Sequence, residues 1–150
     1  MEGRGLTPRT DPGADASDTL DLRLFTREEA QRTLPLVRSI VRDILETYPE
    51  LQRKLQEFER IASGADLRAE RHRLQTLREA IDRDAGTINR YIAELHQIGC
   101  VFKGFEEGLV DFHAVIDGQP AFLCWRYGEE SIAWWHPTDT GFAGRRPLPP

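Results

Sequence analysis

The segment between residues 99 and 136 constrains the fold most, because its pattern is that of consecutive antiparallel hairpins. Asp117-Gly118 is a pair favoured in two-residue type I′ turns, and it lies between two runs of alternating side chains. With this pair as the loop, Asp111 faces Cys124 across the two strands. Because side chains alternate along a strand, one face of the hairpin becomes wholly apolar and is expected to pack against another layer.

The opposite face of the predicted sheet collects polar side chains. Glu106-Glu107-Gly108 suits a three-residue loop with the glycine in the left-handed conformation, and this register places Lys103 opposite Asp111. The candidate ligand-binding residues are those of this face together with one arginine of the following tail, which carries Phe142 and can fold back over the sheet. They are Lys103, Asp111, His113, Cys124, Arg126 and Arg145.

The register of the last strand is open, because a one-residue slip turns every side chain to the other face. A three-residue loop at 128–130 places Trp134 opposite Cys124 and puts His136 on the polar face. A two-residue loop instead puts both aromatic side chains on the apolar face. We favour the three-residue loop, because a histidine without a partner is rarely buried in an apolar core.

Two chemistries are open for this face. Aspartate, histidine and cysteine side chains bind zinc and similar divalent metals, so the candidate metal ligands are Asp111, His113, Cys124 and His136. Alternatively, Cys124 is a nucleophile activated by His113, which Asp111 orients. Without either role, Asp111 pairs with Lys103 and Cys124 is a small buried apolar residue.

The first part of the chain predicts a helical hairpin. Thr26 and Glu29 have the spacing of a capping box, and Ser63-Gly64 supplies a turn between two heptad patterns. Pro35 and Pro49 predict kinks or a break in the first helix, most plausibly at Pro49. The apolar heptad positions are Leu34, Val37, Val41, Ile44, Tyr48, Leu51, Leu55 and Phe58, followed by Leu67, Leu74, Leu77, Ile81, Ile88, Tyr91, Leu95 and Ile98.

The sequence therefore predicts an α+β protein: a long, coiled-coil-like antiparallel helical hairpin with a small antiparallel sheet of three to four strands. The expected segments are a disordered tail over 1–21, the hairpin over 22–98, the sheet over 99–136 and an irregular tail over 137–150. Val41, Ile44 and Leu45 widen the apolar stripe of the first helix beyond what one partner helix covers. For this reason we expect a homodimer through the helical arms.

Composition narrows the class of protein. A net charge of -5 over 150 residues makes a nucleic-acid partner unlikely, and the chain has no apolar run long enough for a membrane span. The first residues lack the apolar segment of a signal peptide, so we expect a cytoplasmic protein with both cysteines as free thiols.

Several short motifs resemble a family, the prokaryotic domain-of-unknown-function family 2203. The most specific are Gly108-Leu109-Val110-Asp111-Phe112 and Leu123-Cys124-Trp125, and the likeness extends from about Leu24 to Leu148. The resemblance implies a small bacterial or archaeal protein and supplies no established activity. From the residues, we expect a binding or scaffold protein that holds a ligand, a partner segment or a metal on the polar sheet face. The alternatives are a small thiol enzyme using Cys124 and His113, and a purely structural coiled-coil dimerisation protein.

Overall fold

The computed structural model describes residues 23–150, and the predicted disordered segment 1–21 lies outside them. A helical hairpin precedes a single five-stranded sheet in which every neighbouring pair of strands is antiparallel. The elements are α1 (Arg27–Ala62), α2 (Arg71–Ile98), β1 (Cys100–Gly104), β2 (Leu109–Ile116), β3 (Gln119–Arg126), β4 (Trp134–Pro137) and β5 (Arg146–Pro147). The predicted α+β class is confirmed, and the sheet has more strands than predicted because the tail adds β5.

Helix α1 begins at the predicted capping box. The Thr26 hydroxyl accepts a hydrogen bond from the Glu29 N–H at 3.1 Å, and the Glu29 carboxylate accepts one from the Thr26 N–H at 2.9 Å. The helix then runs for 36 residues through Pro35 and Pro49, so the predicted break at Pro49 is wrong. A proline inside a helix costs about 3 kcal/mol. Burial of the residues on both sides of Pro49, Ile44 and Leu51 among them, offsets that cost.

Helix α2 begins later than the heptad pattern indicates. The Asp66 carboxylate accepts a hydrogen bond from the Ala69 N–H at 3.3 Å, as in a helix cap, but only turns follow before regular helix starts at Arg71. The helix ends at Gly99, which has a φ of 113° that glycine adopts without strain. Neither helix of the described residues is both long and apolar enough to cross a membrane.

The hydrophobic core lies between α1 and the apolar face of the sheet as well as along the helix–helix seam. Val41 and Ile44 are fully buried, and Leu45 packs against the same cluster as the sheet residues Val110 and Trp125. The sheet of the same chain therefore covers the widened apolar stripe of α1. The homodimer stays a prediction, and the stripe no longer supports it.

The turn between β1 and β2 passes close to α1 at Gly108. This residue has a φ of 72°, and a Cβ atom there would lie 3.0 Å from side-chain atoms of Val41 and Leu45 and 2.9 Å from the Tyr127 Cβ. Glycine is thus required both by the backbone conformation and by the close approach of helix and sheet.

The register of β2 and β3 is the predicted one, with Asp111 opposite Cys124. The register of β1 is not: Val101, and not Lys103, lies opposite Asp111, because a bulge between Phe102 and Gly104 absorbs one residue. The turn is wider than predicted because the Phe105 ring stacks on Tyr48 of α1 at 4.3 Å between ring centres, which holds Phe105 in the turn.

The register of β3 and β4 agrees with the favoured loop, since Cys124 lies opposite Trp134 and Phe122 opposite His136. The connection itself is longer than a three-residue turn, because the segment 127–133 leaves the sheet and places Ile132 in the core. Arg27 of α1 fixes this segment by donating a hydrogen bond to the Ile132 carbonyl at 2.9 Å.

The C-terminal tail, predicted to be irregular, returns to the sheet. A short 3₁₀ helix, Phe142–Gly144, leads into β5, which pairs with β4. The Leu148 N–H donates to the Ala133 carbonyl at 2.9 Å, and Arg27 donates to the Pro149 carbonyl at 2.7 Å. These bonds fix the end of the tail beside β4 and the start of α1.

Candidate functional site

Three of the four predicted metal ligands meet on the polar face, one from each of three neighbouring strands. Asp111 of β2, Cys124 of β3 and His136 of β4 each offer an O, S or N atom, and these atoms all lie within 4.8 Å of one another. Their exposed fractions are 3%, 1% and 3%, so all three are buried. The two strand registers produce this grouping, because Asp111 lies opposite Cys124 and His136 lies opposite the neighbouring Phe122.

His136 is held by hydrogen bonds at both ring nitrogens. Nδ1 lies 2.8 Å from the Pro137 carbonyl oxygen, and Nε2 lies 3.0 Å from Asp111 Oδ2. Because a carbonyl oxygen only accepts, we infer that Nδ1 carries a proton and donates it. Nε2 then faces the Asp111 carboxylate, so this contact needs a second proton on Nε2 or on Asp111, and a metal ion bound there would take the place of that proton.

Asp111 is only half satisfied. Its Oδ2 contacts His136, whereas its Oδ1 has no hydrogen-bond partner among residues 23–150 although it is buried. Buried carboxylate oxygens in folded proteins nearly always have a partner, because leaving one unpaired costs about 1–3 kcal/mol. The Cys124 thiol lies beside the same carboxylate and interacts with it, but no hydrogen bond from residues 23–150 reaches Oδ1, so this oxygen is available to a further donor or a cation.

Cys124 is a protonated thiol in this environment. Burial, reinforced by the negative charge of Asp111, raises the pKa of the Cys124 thiol to about 12. A thiol with so high a pKa is a poor nucleophile at neutral pH. A bound metal ion would reverse this situation, because a coordinated cysteine loses its proton.

His113 shares the face but is not part of the three-residue cluster. Its ring packs on Phe122 at 4.8 Å, and the ring of His136 packs on Phe122 at 5.3 Å. Burial lowers the pKa of His113, an effect that the charge of Asp111 opposes and that of Lys103 reinforces. His113 is thus placed beside the candidate metal site and not in it.

A cavity of about 250 Å³ lies above the three candidate ligands. Its floor includes Asp111, Cys124 and His136, and its cover is the tail segment 138–142. The remaining side chains that line it are Lys103, Leu109, Phe122, Thr138, Thr140 and Phe142. Despite the shifted register, Lys103 thus reaches the cavity, and its Nζ lies 5.5 Å from the centre of the Phe122 ring.

The two predicted arginine ligands have other contacts and do not line this cavity. Arg126 is exposed and lies 3.5 Å from the Glu107 carboxylate. Arg145 donates to the Cys124 carbonyl at 3.1 Å and to the Glu129 carboxylate at 2.7 Å, and its guanidinium lies 4.7 Å from the centre of the Phe142 ring. Arg145 therefore fastens the tail over the site.

Sequence reasoning missed three residues of this arrangement: Glu129, Thr138 and Thr140. Thr138 could have been found, since it follows His136 by two positions and alternation puts both on the same face. Glu129 and Thr140 come from irregular segments, for which no periodic pattern exists. Burial raises the pKa of Glu129. The hydrogen bonds that its carboxylate accepts from Arg145 and from the Arg126 N–H lower the pKa by a larger amount, so it lies below its ordinary value.

Comparison with known proteins identifies the family of the chain. The family model described as "Uncharacterized conserved protein (DUF2203)" matches residues 23–148, which include both helices, all five strands and the cavity. No curated protein and no solved structure matches the chain.

Proposed function

We propose that this chain, which belongs to the family described as uncharacterized conserved protein DUF2203, is a metal-binding protein. The bound ion would be a divalent metal of the zinc type, with Asp111, Cys124 and His136 as ligands. The observation that carries the proposal is the meeting of three buried ligand atoms within 4.8 Å, beside a carboxylate oxygen that has no partner among the described residues.

The chemistry of these side chains fits such an ion. Thiolate, imidazole and carboxylate are the usual protein ligands of zinc. Asp111 and Cys124 would each carry one negative charge when bound, which balances the two positive charges of the ion. Coordination would also satisfy Asp111, whose Oδ1 has no hydrogen-bond partner among residues 23–150.

The contacts of His136 support the same conclusion. A histidine that binds a metal through one ring nitrogen typically donates its other N–H to a carbonyl or carboxylate oxygen, which orients the ring. The Nδ1 contact with the Pro137 carbonyl at 2.8 Å has this form, and it leaves Nε2 facing the other two ligands.

The alternatives have less support. A thiol enzyme needs a cysteine of low pKa close to a base, whereas burial raises the pKa of Cys124 and His113 lies outside the cluster. A purely structural coiled-coil role leaves the buried polar group of the sheet without an explanation. The homodimer, the cytoplasmic location, the bacterial source and the absence of a nucleic-acid partner stay predictions.

The proposal is tested by measuring metal content, and the chain offers matched pairs of variants. Cys124→Ala is compared with Cys100→Ala, because Cys100 is an equally buried free thiol on the apolar face of the same sheet. His136→Gln is likewise compared with His113→Gln. Each purified protein is stripped with a chelator, titrated with zinc and analysed for bound metal after desalting.

We expect about one zinc per chain in the wild type and in the two control variants, as in a single three-ligand site. Cys124→Ala and His136→Gln should each weaken zinc binding by at least about tenfold. A wild type that retains no zinc, or a Cys124→Ala protein that binds zinc as tightly as Cys100→Ala does, would contradict the proposal. Circular dichroism of every variant separates loss of binding from loss of fold.

A further inference from the structure

The cavity above the candidate ligands is lined by one lysine, which is exposed and forms no ion pair with any of residues 23–150. Lys103 lines the cavity, and among residues 23–150 no carboxylate lies within ion-pair distance of its ammonium group. By contrast, the other lysine of the chain, Lys54, is paired with Asp84 at 2.6 Å. Arg126 and Arg145 are also paired, with Glu107 and Glu129.

The three candidate ligands leave a coordination position to be filled. Zinc sites with three protein ligands complete a tetrahedron with a group from outside the chain. The other side chains that line the cavity are Lys103, Leu109, Phe122, Thr138, Thr140 and Phe142, and none of these is a usual zinc ligand. The fourth group therefore has to come from the cavity space itself.

The charges define the class of that group. With Asp111 and Cys124 ionised, a divalent ion leaves the floor of the cavity neutral, and Lys103 then gives the site one positive charge. A monoanion would neutralise it, whereas a dianion would leave one negative charge in a partly enclosed space, which is unfavourable.

The side chains that form the walls of the cavity are partly apolar, which is a second property of the site. The rings of Phe122 and Phe142 contribute apolar surface, and the Thr138 and Thr140 hydroxyls are short polar groups at the cover. A volume of about 250 Å³ is smaller than a typical pocket for a drug-sized molecule. The site thus has room for a small molecule with one charged end and one apolar end.

We propose that this cavity binds a small monocarboxylate, with its charged end between the metal and the Lys103 ammonium and its apolar part between Phe122 and Phe142. The inference rests on the proposed metal site and names the ligand of that site. It assigns to Lys103 the recognition of the anionic group and to the tail segment 138–142 the cover of the apolar part.

The test uses cobalt, whose visible absorption reports the coordination of the ion, in the full-length protein. Benzoate is titrated into the cobalt-loaded protein and compared with benzamide, its neutral counterpart of similar shape, and with inorganic phosphate. We expect benzoate to change the cobalt spectrum in a saturable manner, and benzamide and phosphate to bind at least about tenfold more weakly. The basis is that a hydrogen bond to a charged group contributes about 1.5–3 kcal/mol, equivalent to tenfold or more in affinity.

Two variants identify the responsible residues. Lys103→Met should weaken benzoate binding by about tenfold or more while cobalt stoichiometry stays unchanged, and Lys54→Met should leave both unchanged. Lys103→Arg, which keeps the charge, should retain most of the affinity. Phe142→Ala should weaken benzoate binding more than acetate binding, because acetate lacks the apolar ring.

The results separate the two proposals. Cobalt uptake without a saturable benzoate effect would overturn the ligand inference and leave the metal site standing. Equal binding of benzoate and benzamide, or unchanged benzoate affinity in Lys103→Met, would also overturn it. A wild-type chain that takes up no cobalt and no zinc would overturn both proposals.

Discussion

The helical hairpin and the polar face of the sheet place pairs of ionisable side chains in opposite surroundings. On the hairpin, the side chains of the Arg53–Glu50 pair are 65% and 58% exposed, whereas those of the His136–Asp111 pair are both 4% exposed. Water solvates the first pair whether or not it forms, so such a pair contributes little to stability. Water hardly reaches the second pair, so each of its side chains depends on the other as a polar partner.

An intermediate case lies inside the hairpin. Lys54 of α1 and Asp84 of α2 are 2.6 Å apart, and about a quarter of each side chain is exposed. This pair replaces an apolar contact on the heptad seam and joins the two helices. The comparison teaches that burial distinguishes the candidate site from the charged surface of the arms.

The largest effect should come from Asp111→Ala, which removes one partner of the buried pair. In the presence of a chelator, the free energy of unfolding should fall by about 3–5 kcal/mol, because His136 is left buried without its partner. Glu50→Ala on the hairpin should leave it nearly unchanged, because the Glu50–Arg53 pair is exposed to solvent. Urea denaturation of the three proteins measures both values.

Similar losses of stability in Asp111→Ala and Glu50→Ala would contradict the distinction between the buried and the exposed pair. If Asp111→Ala cost less than about 1 kcal/mol, the buried pair would be no more important than a surface pair.

A smaller effect is expected where the two regions meet. Gly108→Ala should lower the free energy of unfolding by about 3 kcal/mol, because the new Cβ meets Val41, Leu45 and Tyr127 and the left-handed backbone is strained. Gly118→Ala provides the control, since its φ of 76° is similar but its Cβ would meet no atom within 4 Å. That variant should lose about 1 kcal/mol from backbone strain alone.

Thermal denaturation of the two glycine variants, followed separately by far-ultraviolet circular dichroism and tryptophan fluorescence, measures this difference. Coincident transitions are expected if the hairpin and the sheet unfold together. Equal losses in the two variants would mean that the approach of helix and sheet at Gly108 contributes nothing.

The smallest effect concerns the pH dependence of the tail contact. Since the pKa of Glu129 is lower in the folded protein than its ordinary value of 4.5, its contribution to stability is fully present above pH 4.5. It is lost as the pH falls from 4.5 through the folded pKa, because over this range the unfolded state binds a proton that the folded state does not. The melting temperature of Glu129→Gln should therefore fall less steeply below pH 4.5 than that of the wild type.

Salt sharpens this measurement. The pKa of Glu50 is also lowered, by its hydrogen bond and charge contact with Arg53, but that pair is exposed. Raising the salt concentration to about 1 M should remove the difference between wild type and Glu50→Gln and preserve that of Glu129→Gln, because partly buried pairs are screened less. If salt removed both differences equally, the Glu129–Arg145 contact would be an ordinary surface pair.

Local patterns predicted the elements whose partners are close in sequence. The capping box at Thr26 formed as expected, and Asp117-Gly118 placed Asp111 opposite Cys124. A two-residue turn leaves a single register, so the alternation of side chains is sufficient there. The same reasoning brought His136 to the polar face once the loop register was chosen.

Predictions failed where distant parts of the chain compete with local preference. Pro49 does not interrupt α1, because packing on both sides outweighs the loss of one hydrogen bond. Lys103 does not lie opposite Asp111, because Phe105 stacks on Tyr48 and the strand bulges. Neither the packing around Pro49 nor the stacking of Phe105 on Tyr48 can be predicted from the residues next to it in the sequence.

The sequence by itself determined the fold class, the apolar and polar faces of the sheet and three of the candidate metal ligands, since these follow from periodicity and from short turns. The tertiary structure decided which polar residues become a site. Arg145 binds Glu129 and the Cys124 carbonyl, which draws the tail over Asp111, Cys124 and His136 and buries them. Burial changes the energies of charged groups far more than their spacing along the chain does, and it depends on contacts between segments that no local pattern encodes.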